Sequence, residues 1–315
     1  MIDRAACRAI RSKLVRPLPF ALLALLGLTS CNVERFGVDR GAEVLRQAAP
    51  AFHTEPDIAF AREAAAGNVK LIEGLVRVSP RNRTLLSQAA EGLCGYAYLF
   101  VEDDLEALPP ADDEGRAPHA ARAAQFYQRC RDYALRHIEV RHPGFGETIQ
   151  GALGPLEAAL RRTGPDDVPG LFWLGFSMAA NANVSREDVA VIADLPRVEA
   201  IMQRVCELDE RFYNAGARMG LGALYGSRSK LIGGDPERGK REIARAMTLT
   251  GGTFLMHKVI LARVYAVAVG DRELFERTLR EVVATPGTVM PSERLANEIA
   301  RRRAARYLAL VEELF

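Results

Sequence analysis

The residue with the plainest chemistry is Cys31. It closes Leu28-Thr29-Ser30-Cys31 at the end of an apolar run that begins at Leu18, behind Arg4, Arg8, Arg11, Lys13 and Arg16. A basic segment, a short apolar run and small residues before a cleavage point mark a secretory signal. The run is too short to cross a bilayer, which takes about 20 residues. A cysteine placed there reads as a bacterial lipobox thiol, diacylated to become the new N-terminus, and each buried methylene of its chains adds about 0.8 kcal/mol of anchoring. The competing reading is a plain signal with a chance cysteine. Asn32 follows, and by analogy with Gram-negative lipoprotein sorting a residue other than Asp favours the outer membrane. The expected division is a signal peptide over 1–30, a lipidated tether over 31–54 with a helix near 41–49, and a helical domain over 55–315.

Catalytic chemistry is hard to assemble from the rest. His53, His119, His137, His142 and His257 form neither His-x-x-x-His nor the zinc-protease pattern. Gly175-Phe176-Ser177-Met178-Ala179 approaches a nucleophile elbow but ends in Ala and lies in a helical pattern. Gly220-Leu221-Gly222 through Gly226 follows no strand, so it is a poor phosphate cradle. The acids Asp103-Asp104 and Asp112-Asp113-Glu114 lack calcium-loop spacing. We therefore expect no catalytic residue, metal or cofactor, and no enzyme. Removing residues 1–30 takes five of the 42 basic residues and one of the 40 acidic ones, leaving a near-neutral chain without an electrostatic case for nucleic acid. Cys94, Cys130 and Cys206 sit in helical patterns and read as small apolar core residues, with at most one bridge among the three.

The elements that must position any site read as helices throughout. They are expected near 57–66, 68–78, 82–106, 116–140, 146–162, 168–182, 195–208, 211–226, 236–249, 254–269, 271–284 and 291–314. Pro155 should kink or split the fifth. Asp235, Pro236 and Glu237 make a capped start after Gly233-Gly234. Consecutive helices with short turns suggest antiparallel pairs, and three pairs share one pattern. The first has Leu174, Gly175 and Met178 with Val198, Met202 and Val205; the second Leu221, Gly222 and Tyr225 with Gly239, Ile243 and Ala246; the third Leu261, Ala262 and Tyr265 with Phe275, Leu279 and Val282. A small residue lets two helices close up while a bulky one fills the groove beside it. The spacings of 47 and 40 residues between Gly175, Gly222 and Ala262 exceed the usual TPR period of about 34. Ala123, Tyr127 and Cys130 suggest a fourth unit. The expected fold is all-α, a TPR-like solenoid of antiparallel helix pairs.

A solenoid binds along its concave face. That face should present Phe172, Phe176, Met219, Met256, Val259 and Arg263, an apolar groove in which Arg263 would meet a carboxylate end of a hydrophobic ligand. The alternative is that further helices cover these residues as core. Arg301 and Arg302 are expected on the solvent side of the last helix, either simply solvated or docking an acidic partner. Arg303, nearer the apolar stripe, should pair with an acid on a neighbouring helix.

Several stretches carry a family likeness: Leu71-Ile72-Glu73-Gly74-Leu75, Ser79-Pro80, Tyr96 to Glu102, Trp173, Asp194-Leu195-Pro196, Gly233-Gly234-Asp235-Pro236-Glu237, Arg294-Leu295-Ala296-Asn297 and Glu312-Glu313-Leu314-Phe315. In order, and across the whole mature chain, they resemble the T component (TatT) of tripartite ATP-independent periplasmic (TRAP) transporters. The resemblance implies a periplasm-facing lipoprotein with TPR-like pairs. It also implies a homotrimer with a central pore, a periplasmic solute-binding protein as partner and a cleft for a hydrophobic molecule. Gly239, where a TPR usually has Ala, and Tyr307, where the family more often has Trp, depart from the pattern; the second should touch a surface contact. Two other readings remain. One is a TPR lipoprotein scaffold for outer-membrane protein assembly, which should show a polar groove. The other is a cell-wall hydrolase, which would need a catalytic domain that the sequence does not show.

Overall fold

A computed structural model describes residues 18–227 and 234–315, with side chains from residue 33 onward. No strand occurs among the described residues. The long elements are α1 (Leu18–Ala48), α3 (Ile58–Val78), α4 (Arg83–Tyr96), α6 (Asp113–Glu139), α9 (Val168–Val184), α11 (Leu195–Asp209), α12 (Phe212–Gly226), α13 (Pro236–Leu249), α16 (Arg272–Ala284) and α17 (Arg294–Ala309). Between them lie α2 (Pro50–His53), α5 (Glu102–Ala107), α7 (Phe145–Gln150), α8 (Leu153–Leu160), α10 (Val189–Ala193), α14 (Met256–Ile260), α15 (Val267–Val269) and, at the end, α18 (Val311–Leu314). Short polar side chains start the helices by accepting free backbone N–H groups: Asp57 from Ala59 and Phe60 at 2.9 and 3.1 Å, and Asp235 from Arg238 at 2.9 Å.

The paired pattern becomes close helix contact. A Cβ on Gly222 would stand 2.4 Å from the Ile243 side chain, and one on Gly239 would stand 2.8 Å from the Gly222 carbonyl. These glycines are therefore the condition for α12 and α13 packing so closely, and the alanine a TPR would carry at 239 does not fit. Gly175 meets Ile201 and Met202 of α11 in the same way. Two large cores result, one centred on α4, α6, α9, α11 and α12, the other on α14, α16 and α17. A small third core joins α1, α3 and α4 through Ala42, Ile72 and Leu85.

Several expectations change. The helices expected at 57–66 and 68–78 are one, because Gly67 faces open space and a helical glycine costs only about 1 kcal/mol. The expected tether is helical: α1 runs on to Ala48, Ala42 is fully buried, and Asp39 accepts from Ser79 at 2.7 Å and from Asn82 at 2.6 Å. Residues 1–17 and Gly233 lie outside the described residues, and so does the Cys31 side chain. The chain breaks at Gly151-Ala152, before Pro155, which sits in the first turn of α8, where a missing N–H is harmless. Cys94 and Cys130 are not independent core thiols; they are joined as a disulfide across α4 and α6 with Cα atoms 5.6 Å apart, because the two helices bring their apolar faces into register. Cys206 is free, with its thiol pKa pushed up to about 11 by burial. Tyr307 is 5% exposed rather than a surface contact.

Candidate functional site

Where the two large cores meet they do not close. A chamber of about 60 Å³ remains, walled by Tyr98, Phe172, Trp173, Phe176, Tyr213, Met219, Phe254, Met256 and Leu295. Beside it lies a vestibule of about 360 Å³ between α2, α3 and α4, with Phe60, Ala64, Asn68 and Gln88 among its walls. His53, Gly95, Leu99 and Tyr213 belong to both walls and form the neck. Phe60, 60% exposed, stands at the outer side.

Local irregularities build this space. After Tyr96 the fourth helix widens into a π-helical stretch, Ala97–Val101, which sets Tyr98 and Leu99 on the chamber wall. Such bulges concentrate at functional positions. At the start of α12, Tyr213, Asn214 and Ala215 take the left-handed conformation, with φ of 48°, 57° and 58°. Side chains with a Cβ adopt it at a cost of roughly 1–2 kcal/mol each. The bend lies among polar groups: Tyr213 is close enough to Glu91, and Asn214 to Glu293 and buried His257, to shift the titration of these groups. Gly216 follows, and a Cβ there would lie 2.7 Å from the Phe172 ring. Gly95 is the opposite case, with nothing within 4 Å of an added Cβ.

The rings interlock edge to face. Trp173 lies 4.7 Å from Tyr213 and 4.8 Å from Phe172, and Phe176 lies 5.6 Å from Tyr98. At the neck His53 stands 3.4 Å from Glu91 and 3.7 Å from Glu293. Burial opposes charge on the imidazole, but the two carboxylates outweigh it and raise the His53 pKa. Burial likewise raises the Glu293 pKa, with His53 pulling the other way. Among the described residues no Lys or Arg lines either space.

Behind Tyr98 the charges are dense, and each carboxylate of Asp103 and Glu106 meets an arginine. Arg303, 2% exposed, stacks 4.5 Å over the Tyr98 ring and meets Asp103 at 3.4 Å and Glu106 at 3.7 Å. Arg302 and Arg306 reach the same Asp103 at 2.6 and 3.1 Å. Burial pushes the Glu102 carboxyl up to about 7, against the pull of Arg303, while Tyr127 donates to it.

Of the residues expected in the groove, Phe172, Phe176, Met219 and Met256 come together in the chamber wall. Val259 and Arg263 do not. Val259 packs in the second core, and Arg263 stacks 5.6 Å over Tyr307, so it lies on neither wall. Arg302 is tied to Asp103 rather than free, and Arg301 pairs with Glu298 at 2.8 Å. Sequence reasoning did not bring His53, Glu91, Tyr213, Phe254 or Glu293 to one place. They lie on segments up to 240 residues apart (His53 to Glu293), and no local pattern announces a left-handed Tyr-Asn-Ala. Among the described residues no His, Cys, Asp and Glu group is arranged to hold a metal, and no helix is long and apolar enough to cross a membrane.

Compared with protein-family models, residues 54–315 match the TRAP transporter T-component. The chain belongs to that family. The match begins at Thr54, just after the helical turn that carries His53, and takes in the rest of the neck and of the chamber wall. No curated protein matches the chain. The family is one of transporter accessories.

Proposed function

We propose that this T-component is a lipoprotein accessory of a TRAP uptake system, anchored through Cys31 and facing the periplasm. Its work there is to bind the solute-binding subunit and to hold a hydrophobic molecule in the chamber and vestibule. The observation that carries this reading is the family match over 54–315 together with an aromatic cavity that opens toward a larger space through one neck. Its helix pairs are read as TPR-like. A disulfide joining Cys94 to Cys130 fits an oxidising compartment. Anchoring in the outer membrane and assembly as a homotrimer belong to the same reading.

A pull-down from detergent extract separates this from the scaffold alternative. Recovery of a periplasmic solute-binding protein supports it, and recovery of barrel-assembly components overturns it. Arg301→Glu is the cleaner probe of the last helix as a docking surface. Arg302→Glu would set an acid against Asp103 and confound binding with stability. Loss of pull-down by Arg301→Glu at unchanged melting temperature is expected if that face docks the partner.

A further inference from the structure

We propose that the chamber selects a cation: a small apolar amine or quaternary ammonium, its nitrogen held at the neck by Glu91 and Glu293 and its hydrocarbon laid among the rings. This rests on the reading above, that the crevice holds a hydrophobic molecule, and adds the charge that molecule carries.

Three observations converge on it. The first is charge balance. Among the described residues His53 is the sole base on the walls of chamber and vestibule, and it already serves two carboxylates, at 3.4 and 3.7 Å. With the imidazolium counted, the neck still carries one uncompensated negative charge, in a place only partly open to water. Desolvated charge of one sign calls for the other. The nearest arginines are directed elsewhere: Arg294, next to Glu293, leans toward Glu298 at 3.8 Å, and Arg302, Arg303 and Arg306, behind Tyr98, turn to Asp103 and Glu106.

The second is the wall itself. Tyr98, Phe172, Trp173, Phe176, Tyr213 and Phe254 present aromatic surface to one small space. Ring faces carry negative potential and attract a cation, most of all one that hydrates weakly. The same faces repel an anion. A carboxylate guest would bring a third carboxyl to a neck that already holds two, with no guanidinium or ammonium to receive it.

The third is how the carboxylates are aimed. The left-handed run Tyr213–Ala215 is retained at a backbone cost, and it sets Tyr213 beside Glu91 and Asn214 beside Glu293. Backbone strain over-determined by its surroundings is characteristic of binding sites.

Trp173 lines the chamber and is the chain's single tryptophan, so its emission reports occupancy directly. The test titrates the full chain, reconstituted in phosphatidylcholine vesicles, with hexyltrimethylammonium, hexanol and hexanoate. The ammonium is expected to bind about tenfold or more tighter than hexanoate, and tighter than hexanol. Glu293→Gln and, independently, Glu91→Gln should each shrink that preference severalfold, with melting temperatures measured alongside to show that the variants fold. Hexanoate or hexanol binding as tightly as the ammonium overturns the charge assignment but leaves the hydrophobic-ligand reading standing. No response of Trp173 to any of the three overturns both.

Discussion

Two clusters of charge lie on opposite sides of Tyr98 and behave differently. Behind the ring, Asp103 and Glu106 meet Arg302, Arg303 and Arg306 within hydrogen-bonding or ion-pair reach. In front of it, His53 alone stands between Glu91 and Glu293. In the first, three guanidinia enclose two carboxylates, so each acid has an arginine of its own, and backbone braces the contact, with Arg303 donating to the Tyr98 carbonyl. The second borders the cavity, and two carboxylates there share one imidazole. Carboxylates enclosed by arginines fix one helix against another. Carboxylates beside a cavity with one shared imidazole have room for a further cation. The contrast assigns one cluster to the architecture of the α5–α17 contact and the other to binding.

Substitution should separate the two. The largest effect is expected from Arg303→Met, which removes the buried guanidinium stacked on Tyr98 and leaves Asp103 and Glu106 to Arg302 and Arg306. Losing the hydrogen bonds of a buried charged group costs about 2–3 kcal/mol, seen as a fall in the urea midpoint. If Arg303→Met left that midpoint unchanged, the knot would not be structural. Next in size is a pH effect at Glu102, whose folded pKa of about 7 lies above its ordinary value of 4.5. A raised carboxyl pKa means the folded state holds its proton more tightly than the unfolded chain does. The stability it contributes is therefore complete below pH 4.5 and is lost as pH rises through 7. Glu102→Gln should remove that slope, so that the variant gains on the wild type by about 1–3 kcal/mol between pH 5 and pH 8. A parallel pair of stability–pH curves would contradict the assignment. The smallest stability change is expected at the neck. Glu293→Gln relieves a partly buried charge, so thermal stability should rise slightly or stay within about 0.5 kcal/mol while ligand affinity falls. A large loss of stability there would move this cluster into the architectural class.

Much of the helical body was legible from spacing. The small residues Gly175 and Gly222 and the partners Ile243, Met202 and Leu279 are where a paired-helix pattern puts them, because apolar period and side-chain size are local properties. The match of Arg303 to an acid was legible too, from its place beside the apolar stripe. What stayed hidden depended on register between distant elements. The Cys94–Cys130 bridge needs α4 and α6 to meet at one level, and helix periodicity does not set that level. The chamber needs a π-helical widening at Ala97–Val101 and a left-handed bend at Tyr213–Ala215. Neither carries a glycine or proline to mark it, and both are enforced by contacts made elsewhere. Arg263 went astray for the same reason: helix phase gave its face, but Tyr307 claimed its side chain.

The central claim is that the crevice is a working binding space reached through its neck. Gly95 offers the direct test, since it belongs to both walls and a Cβ added there meets nothing within 4 Å, so a larger side chain is expected to grow into the passage. Native mass spectrometry of the full chain, purified from its own cells, should find a small molecule on the wild type and none on Gly95→Leu, with both proteins melting at similar temperatures. An unliganded wild type, or an adduct retained undiminished by Gly95→Leu, would contradict the account.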